Sequence, residues 1–355
     1  MIALEQVSLT LGEFSLQDVD LQIRKGEYLV LLGPSGAGKT VLLEIIAGLR
    51  AADNGTITIN QRDMSGVLPE HRGTAIVYQD YSLFPHMTSA ENIAYGMKIN
   101  KRSVKEITKR VDSLLADFGI SSLKDRYPGS MSGGEQQRVA IARALATEPA
   151  VLLLDEPFAS LDPRSRDECI RVMQELKEKR SVTILQVSHS GDEAYTLADK
   201  VVVLLDGKIA QTGTPDEIFC HPSSAVVAQF TGTENVLAGT VTSNGSGRSR
   251  VSIGSIAIGL PCTYQDGARI SIGIPASGIR IMPFQPASED KGMNCISCFV
   301  RRVTWGKDTV TLQLEGQIPL TAVIRRTVDD VFIPRQEMQV YAVFRDLDVR
   351  VISGA

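Results

Sequence analysis

The 355-residue sequence predicts two domains of different class, an α/β domain over residues 1–235 and an all-β domain over residues 236–355. Three observations predict this. In the first part, continuous apolar runs alternate with helix-like segments, the pattern of strands buried on both faces of a parallel sheet. One of those runs leads into a glycine-rich loop and then a helical segment. After residues 231–235 the texture changes to short alternating strands separated by Gly, Pro and Asn turns. A length of 355 residues accommodates two domains of roughly 150 residues.

The elements follow in order. Residues 28–32 read as a buried strand, 33–40 as a glycine loop and 41–47 as a helix. Residues 74–78 form a second strand. The segment 103–118 places Val104, Ile107, Val111, Leu114, Leu115 and Phe118 in one apolar stripe, with Lys105, Glu106, Lys109 and Arg110 elsewhere, which predicts an amphipathic helix. Ser132 is a natural N-cap for a helix beginning Gly133-Gly134-Glu135. A strand at 151–154, a helix at 164–179 opened by Asp162-Pro163, and strands at 182–187 and 200–205 complete the α/β part. In the second part, Asn244-Gly245 and Gly306-Lys307-Asp308 read as hairpin turns. The segment Ile270-Ser-Ile-Gly-Ile274…Ile279-Arg280-Ile281 lines up with Val340-Tyr-Ala-Val-Phe344…Val349-Arg350-Val351 at a constant offset of about 70, apolar on apolar and Arg on Arg. It predicts two related small β-barrel units.

The loop carries the first chemistry. Gly33-Pro34-Ser35-Gly36-Ala37-Gly38-Lys39-Thr40 is a full G-x-x-x-x-G-K-[ST] motif. Its glycines let backbone N–H groups turn toward phosphate oxygens, and the following helix adds its positive end. Lys39 is placed to reach the β- and γ-phosphates of ATP, and the Thr40 hydroxyl to bind Mg²⁺. Asp155 and Glu156 follow an apolar strand and face opposite ways. Asp155 is then available for Mg²⁺, and Glu156 for the attacking water as general base. Ser132-Gly133-Gly134 opens a second helix terminus suited to an anion.

Composition narrows the remaining choices. The net charge of −4 divides into −7 over residues 1–235 and +3 over 236–355. Neither part has the clustered Lys/Arg that nucleic acid requires, so nucleic acid is not an expected partner. No apolar stretch reaches the ~18–20 residues needed to span a bilayer, so a membrane role needs partner subunits. Five cysteines, an odd number, fit a reducing cytosol. Cys295-Ile-Ser-Cys298 is a lone C-x-x-C; in a strand its two cysteines fall on opposite faces, which argues against a metal or redox pair.

Taken together these motifs resemble the nucleotide-binding subunit of ATP-binding cassette (ABC) transporters. Met131-Ser132-Gly133-Gly134-Glu135 is similar to the signature motif, with Met in place of the usual Leu. Gln79 corresponds to the Q-loop glutamine, a Mg²⁺ ligand, Ser160-Leu161-Asp162 to the D-loop, and His189 to the switch histidine that contacts the γ-phosphate. The resemblance implies a P-loop NTPase fold with an inserted helical subdomain at about 87–145. It also implies an ATP sandwich between two copies, in which Ser132, Gly133, Gly134 and Asp162 complete the partner's site. Where the family stacks adenine on an aromatic, this chain has Leu11, with Phe14 the nearest aromatic. The second part resembles the OB-like TOBE/MOP domain of importer ATPases. The stretches 78–87, 233–237, 247–254 and 274–277 are most similar to the molybdate/tungstate branch. That resemblance implies a peripheral subunit at the cytoplasmic face of the membrane. Two integral permease subunits would hold it and a solute-binding protein would serve it indirectly; the second domain would either bind a regulatory oxyanion or serve only as a dimerisation module. Importers of sulfate/thiosulfate, ferric iron, polyamines and sugars share the architecture. A soluble non-transport ABC ATPase and an oxyanion-sensing regulatory protein are the alternatives of another class.

Overall fold

The computed structural model describes residues 1–179, 182–243, 249–286, 292–326 and 332–352. It divides into two compact units, Met1–Pro215 and Asp216–Ala355. The division falls before the expected boundary at 235/236. The segment after Pro215 belongs with the second unit, because the Arg350 guanidinium near the C-terminus donates to the Phe219 carbonyl and to the Thr233 hydroxyl.

In the first unit the order is β1 (Ile2–Leu11), β2 (Phe14–Ile23), β3 (Tyr28–Leu32), α1 (Lys39–Ala47), β4 (Asn54–Ile59), β5 (Arg62–Asp63), β6 (Thr74–Val77) and α2 (Ser89–Ile99). There follow α3 (Val104–Asp117), α4 (Gly133–Ala146), β7 (Val151–Asp155), α5 (Pro163–Glu178), β8 (Thr183–Ser188), α6 (Gly191–Leu197), β9 (Lys200–Leu205) and β10 (Lys208–Gly213). Five parallel strands run in the order β9-β3-β8-β7-β6, with β10 antiparallel at the edge. The crossed order places the C-terminal ends of β3, β7 and β8 side by side, where ligands sit in open α/β sheets. Strands β3 and β7 are buried along their whole length, which explains the apolar runs of residues 28–32 and 151–154. A second, antiparallel sheet, β2-β1-β4-β5, covers α1. Leu4, Leu21, Ile23, Leu29, Leu31, Leu42 and Ile46 share that core. Helices α2, α3 and α4 form the helical insertion. Ser103 caps α3 through a reciprocal pair with Glu106; Val111, Leu114, Leu115 and Phe118 of the expected stripe are buried and Ile107 half-buried, whereas Val104, in the first turn, is exposed.

The second unit contains α7 (Pro215–Cys220), which begins at the boundary, α8 (Ala225–Phe230), and then strands with two single 3-10 turns at Ala276–Gly278 and Asp346–Asp348. The strands are β11 (Asn235–Ser243), β12 (Ser249–Ile253), β13 (Ile256–Gly259), β14 (Arg269–Ile274), β15 (Arg280–Met282), β16 (Met293–Trp305), β17 (Thr309–Gly316), β18 (Leu320–Arg325), β19 (Gln339–Arg345) and β20 (Arg350–Ile352). They form two antiparallel five-stranded sheets, β13-β12-β11-β14-β20 and β15-β19-β16-β17-β18, over one apolar core. The two similar segments occupy matching places, but each sends its last short strand to the other sheet: β15 pairs with β19, and β20 with β14. Two buried asparagines tie the sheets in the same reciprocal way. Asn235 of β11 binds both the N–H and the carbonyl of Thr321 on β18. Asn294 of β16 accepts from the Gly259 N–H on β13 at 2.7 Å. The Gly306 N–H closes the expected β16–β17 turn on Thr309 O at 2.8 Å. The expected turn at Asn244-Gly245 lies outside the described residues. Cys295 is exposed and Cys298 buried, and burial pushes the Cys298 thiol up to about 11.

Candidate functional site

The glycine loop leaves β3 and enters α1 at Gly38, whose φ of 97° lies in the left-handed region. A Cβ there would stand 2.4 Å from Phe14 Cζ, so the β2 hairpin presses its aromatic ring onto the loop. Leu11 pairs with Phe14 at the hairpin tip, and both are half-buried against the core. Lys39 is buried, and its Nζ donates to Gly33 O at 2.8 Å and Pro34 O at 2.9 Å. Burial lowers the Lys39 ammonium, and the nearby Glu156 and Asp155 carboxylates work against that shift. The ammonium is therefore held against the loop by two backbone carbonyls.

The carboxylates meet it from β7. The Thr40 hydroxyl donates to Asp155, 3.0 Å from Oδ2 and 3.2 Å from Oδ1. Burial raises the Asp155 carboxyl, and the Thr40 bond opposes this. Glu156 turns the other way with φ 44°, a left-handed conformation held by the bond from its N–H to Val187 O. Its Oε2 lies 3.1 Å from His189 Nδ1, on the loop leaving β8. Glu156 and His189 both reach solvent, whereas Asp155 does not.

Behind His189 stands a buried polar group that the sequence analysis missed. Gln186 Nε2 and Ser188 Oγ both donate to Glu193 Oε2, and the Tyr28 hydroxyl donates to Gln186 Oε1 at 2.6 Å. The Ser190 N–H binds Ser188 Oγ, so the network reaches the residue after the histidine. The available signal was Gln186 and Ser188, polar residues in the second half of a buried strand.

The other expected residues form a second group. Ser132 caps α4 in a reciprocal pair with Glu135. Asp162 caps α5 by accepting from the Ser165 N–H at 3.1 Å, and hydrogen bonds with Ser165 hold its carboxyl below the ordinary value. The two caps adjoin, since a Cβ on Gly134 would stand 2.6 Å from Ser165 Cβ. Ser132, Gly133 and Asp162 are exposed, while Gly134 is buried between the helices. Gln79 is exposed just beyond β6. Its loop is anchored from the helical insertion by the buried Asn92, which binds Phe84 N–H and carbonyl, and by Arg143 on the carbonyls of Tyr81 and Ser82.

The site thus combines a glycine loop holding a lysine, a buried carboxylate beside a hydroxyl, and a carboxylate–histidine pair open to water. The ABC transporter family model matches residues 16–159. A molybdate/tungstate import ATP-binding protein of Pyrococcus horikoshii is 38% identical over 356 residues, which cover 99% of this chain and 99% of that one. The chain belongs to the ABC transporter ATP-binding family. The chain is also 46% identical over 245 residues to a sulfate/thiosulfate import ATP-binding protein of Halalkalibacterium halodurans, covering 68% of this chain and 69% of that one. An ATP-binding cassette solved as a dimer in a post-hydrolysis state with ADP and Pi has 30% identity and a TM-score of 0.55, covering 61% of this chain and 99% of that one. The expected fold and an ATP-hydrolysing activity agree with these relationships. No helix among the described residues is long and apolar enough to cross a membrane.

The buried Asp155 makes one stability prediction. Its folded value stands above its unfolded one, so the charged form is the one that folding disfavours. The favourable contribution of the protonated carboxyl is complete below the unfolded value and is lost as pH rises through the folded value. Without nucleotide or divalent cation, Asp155→Asn is expected to raise the melting temperature at neutral pH. The gain should shrink as pH falls through the carboxylate range. Thermal melts of both chains across pH check this; a lower melting temperature for the variant at neutral pH contradicts it.

Proposed function

We propose that this chain is the ATP-hydrolysing subunit of an importer of a small oxyanion, molybdate or tungstate. The observation that carries the reading is the relationship to the P. horikoshii protein, which runs through both units and not through the cassette alone. In this reading Lys39 gives up the carbonyls of Gly33 and Pro34 for the β- and γ-phosphates, which the N–H groups of residues 33–40 also receive. Thr40, Asp155 and Gln79 supply hard oxygen donors suited to Mg²⁺, which is usually held by one or two carboxylates together with substrate phosphates. Bound Mg²⁺ would neutralise charge on the phosphates. Glu156 takes the proton of the attacking water, and His189, oriented by the bond to Glu156 and by the network behind it, faces the γ-phosphate. Ser132, Gly133, Gly134 and Asp162 stand apart from this centre and are exposed or adjoin exposed residues. This supports a head-to-tail pair in which they complete the partner's site, as does the dimeric state of the solved cassette with ADP and Pi.

The cassette works at the cytoplasmic face of the membrane, held by two permease subunits that a solute-binding protein supplies. The second unit is the place for a regulatory oxyanion. Its groove beside Glu234, Arg301, Glu315 and Thr321 is poorly suited to one, because Arg301 is already bonded to Glu315 at 2.8 Å and Glu234 adds a further carboxylate. The test uses the chain reconstituted with its permease subunits, with molybdate, tungstate or sulfate added on the cytoplasmic side and uptake measured from the other. Uptake of molybdate or tungstate in preference to sulfate is expected, and preference for sulfate overturns the substrate assignment. Inhibition from the cytoplasmic side by molybdate or tungstate, lost when residues 216–355 are removed, would assign the regulatory role. Unchanged ATPase activity removes that role.

A further inference from the structure

We propose that the Tyr81 hydroxyl is a positioning group that couples the two ATP sites; this rests on the head-to-tail pairing proposed above. Tyr81 Oη lies 2.8 Å from Ser160 Oγ. A Cβ on Gly133 would stand 3.3 Å from the same oxygen. One phenol therefore touches three segments: its own loop, just beyond Gln79; the backbone beside Ser132; and Ser160, just before Asp162. Gln79 acts in the site of its own subunit. Ser132, Gly134 and Asp162 act in the partner's. The hydroxyl stands where the two sets meet.

The surroundings hold it there. Tyr81 and Ser82 both adopt left-handed backbone, with φ of 62° and 44°, which ordinary side chains disfavour and which persists only where neighbours enforce it. Arg143 of α4 supplies that enforcement. It donates to Ser82 O at 2.8 Å and Tyr81 O at 3.1 Å, with its guanidinium 5.4 Å above the Phe84 ring. Ser82 Oγ is held on Asp80 at 2.6 Å. The loop is thus clamped through its carbonyls to the same helix that Ser132 caps, and the phenol is left to bridge to Ser160. A shift of Gln79 toward its own γ-phosphate then pulls on Ser160, and through it on Asp162 in the partner's site. By linkage the reverse also holds, so occupancy of one site alters affinity at the other.

The test uses the full chain and five forms: wild type, Tyr81→Phe, Ser160→Ala, the double variant and Ser160→Thr. Tyr81→Phe and Ser160→Ala are each expected to lower kcat about 3- to 10-fold, the range for one lost hydrogen bond. Each should bring the Hill coefficient for ATP toward one, with the Kd of the isolated subunit for ATP unchanged. The double variant should match either single one, and Ser160→Thr, which keeps the hydroxyl, should match wild type. Unchanged melting temperatures separate this from a loss of folding; if Tyr81→Phe melts early, Ser160→Ala carries the test alone. Unaltered kcat and Hill coefficient in the variants, or losses that multiply in the double, overturn the proposal while leaving the pairing intact. A wild type with a Hill coefficient of one, and no ATP-dependent dimer of Glu156→Gln, overturns the pairing and this proposal with it.

Discussion

Glu156→Gln is expected to lower ATP turnover by at least about 100-fold, within the usual contribution of a general base, and to accumulate an ATP-bound dimer. The change is nearly isosteric, so the amide can still accept from His189 Nδ1 at the 3.1 Å that Glu156 Oε2 now occupies. The left-handed backbone at residue 156 and its N–H bond to Val187 O are untouched. The basic oxygen is what disappears. Lys39, Thr40 and Asp155 keep their places, so phosphate binding survives while the water goes unactivated. Gel filtration with and without ATP, alongside a phosphate-release assay, reads both effects. Wild-type turnover in the variant removes Glu156 from the role of base; lost turnover without ATP-dependent dimer keeps the role and removes the sandwich.

Gly207→Ala is expected to produce the largest loss of stability. Gly207 makes the turn between β9 and β10 at φ 75°. A Cβ there would fall 1.8 Å from the carbonyl oxygen of Ser15, a backbone atom that no rotamer change can move aside. The turn is also tied to β2 by the bond from Gln17 N–H to Gly207 O at 2.9 Å. Left-handed strain and overpacking together cost roughly 2–6 kcal/mol. The displacement passes from Ser15 to the preceding residue, Phe14, and from its ring to Gly38 in the glycine loop. Weaker ATP binding should therefore accompany the lower denaturation midpoint in urea. A midpoint equal to that of wild type contradicts the close approach of Gly207 to β2.

Much of the parallel sheet was legible because its strands are buried on both faces and need no alternation: residues 28–32 and 200–205 carry their apolar runs without interruption. The antiparallel sheet of β1, β2, β4 and β5 was passed over. Its period-two pattern is broken where β1 shifts register between Leu4 and Val7 and again before Leu9, with Gln6 and Asp18 in left-handed backbone. In the candidate site, Lys39, Thr40, Asp155 and Glu156 were readable from spacing, since the loop and the adjacent carboxylates are local in sequence. Ser132, Asp162, Gln79 and His189 took their meaning from the family resemblance. Glu193, Arg143, Asn92 and Tyr81 were not readable at all. Arg143 and Tyr81 act through partners distant in the chain, and Glu193 and Asn92 through nearby polar groups that follow no recognised motif. The division at Pro215/Asp216 was not legible because the texture changes at residue 235, whereas the bonds that tie residues 219 and 233 to Arg350 run over a hundred residues along the chain.

The crossing of β15 and β20 between sheets has a consequence for how the second unit can be divided. A fragment ending after Met282 would keep β11 to β15 but lack both the strand that lies beside β14 and the strand that receives β15. Two such fragments can satisfy each other, each lending its β15 to the open β14 edge of the other in the place β20 now takes. Half of this domain is therefore expected to exist as a twofold strand-swapped pair and not as a folded monomer. What the intact chain encloses by covalent continuity, its halves would recover only by meeting, at a concentration-dependent cost that the single polypeptide avoids.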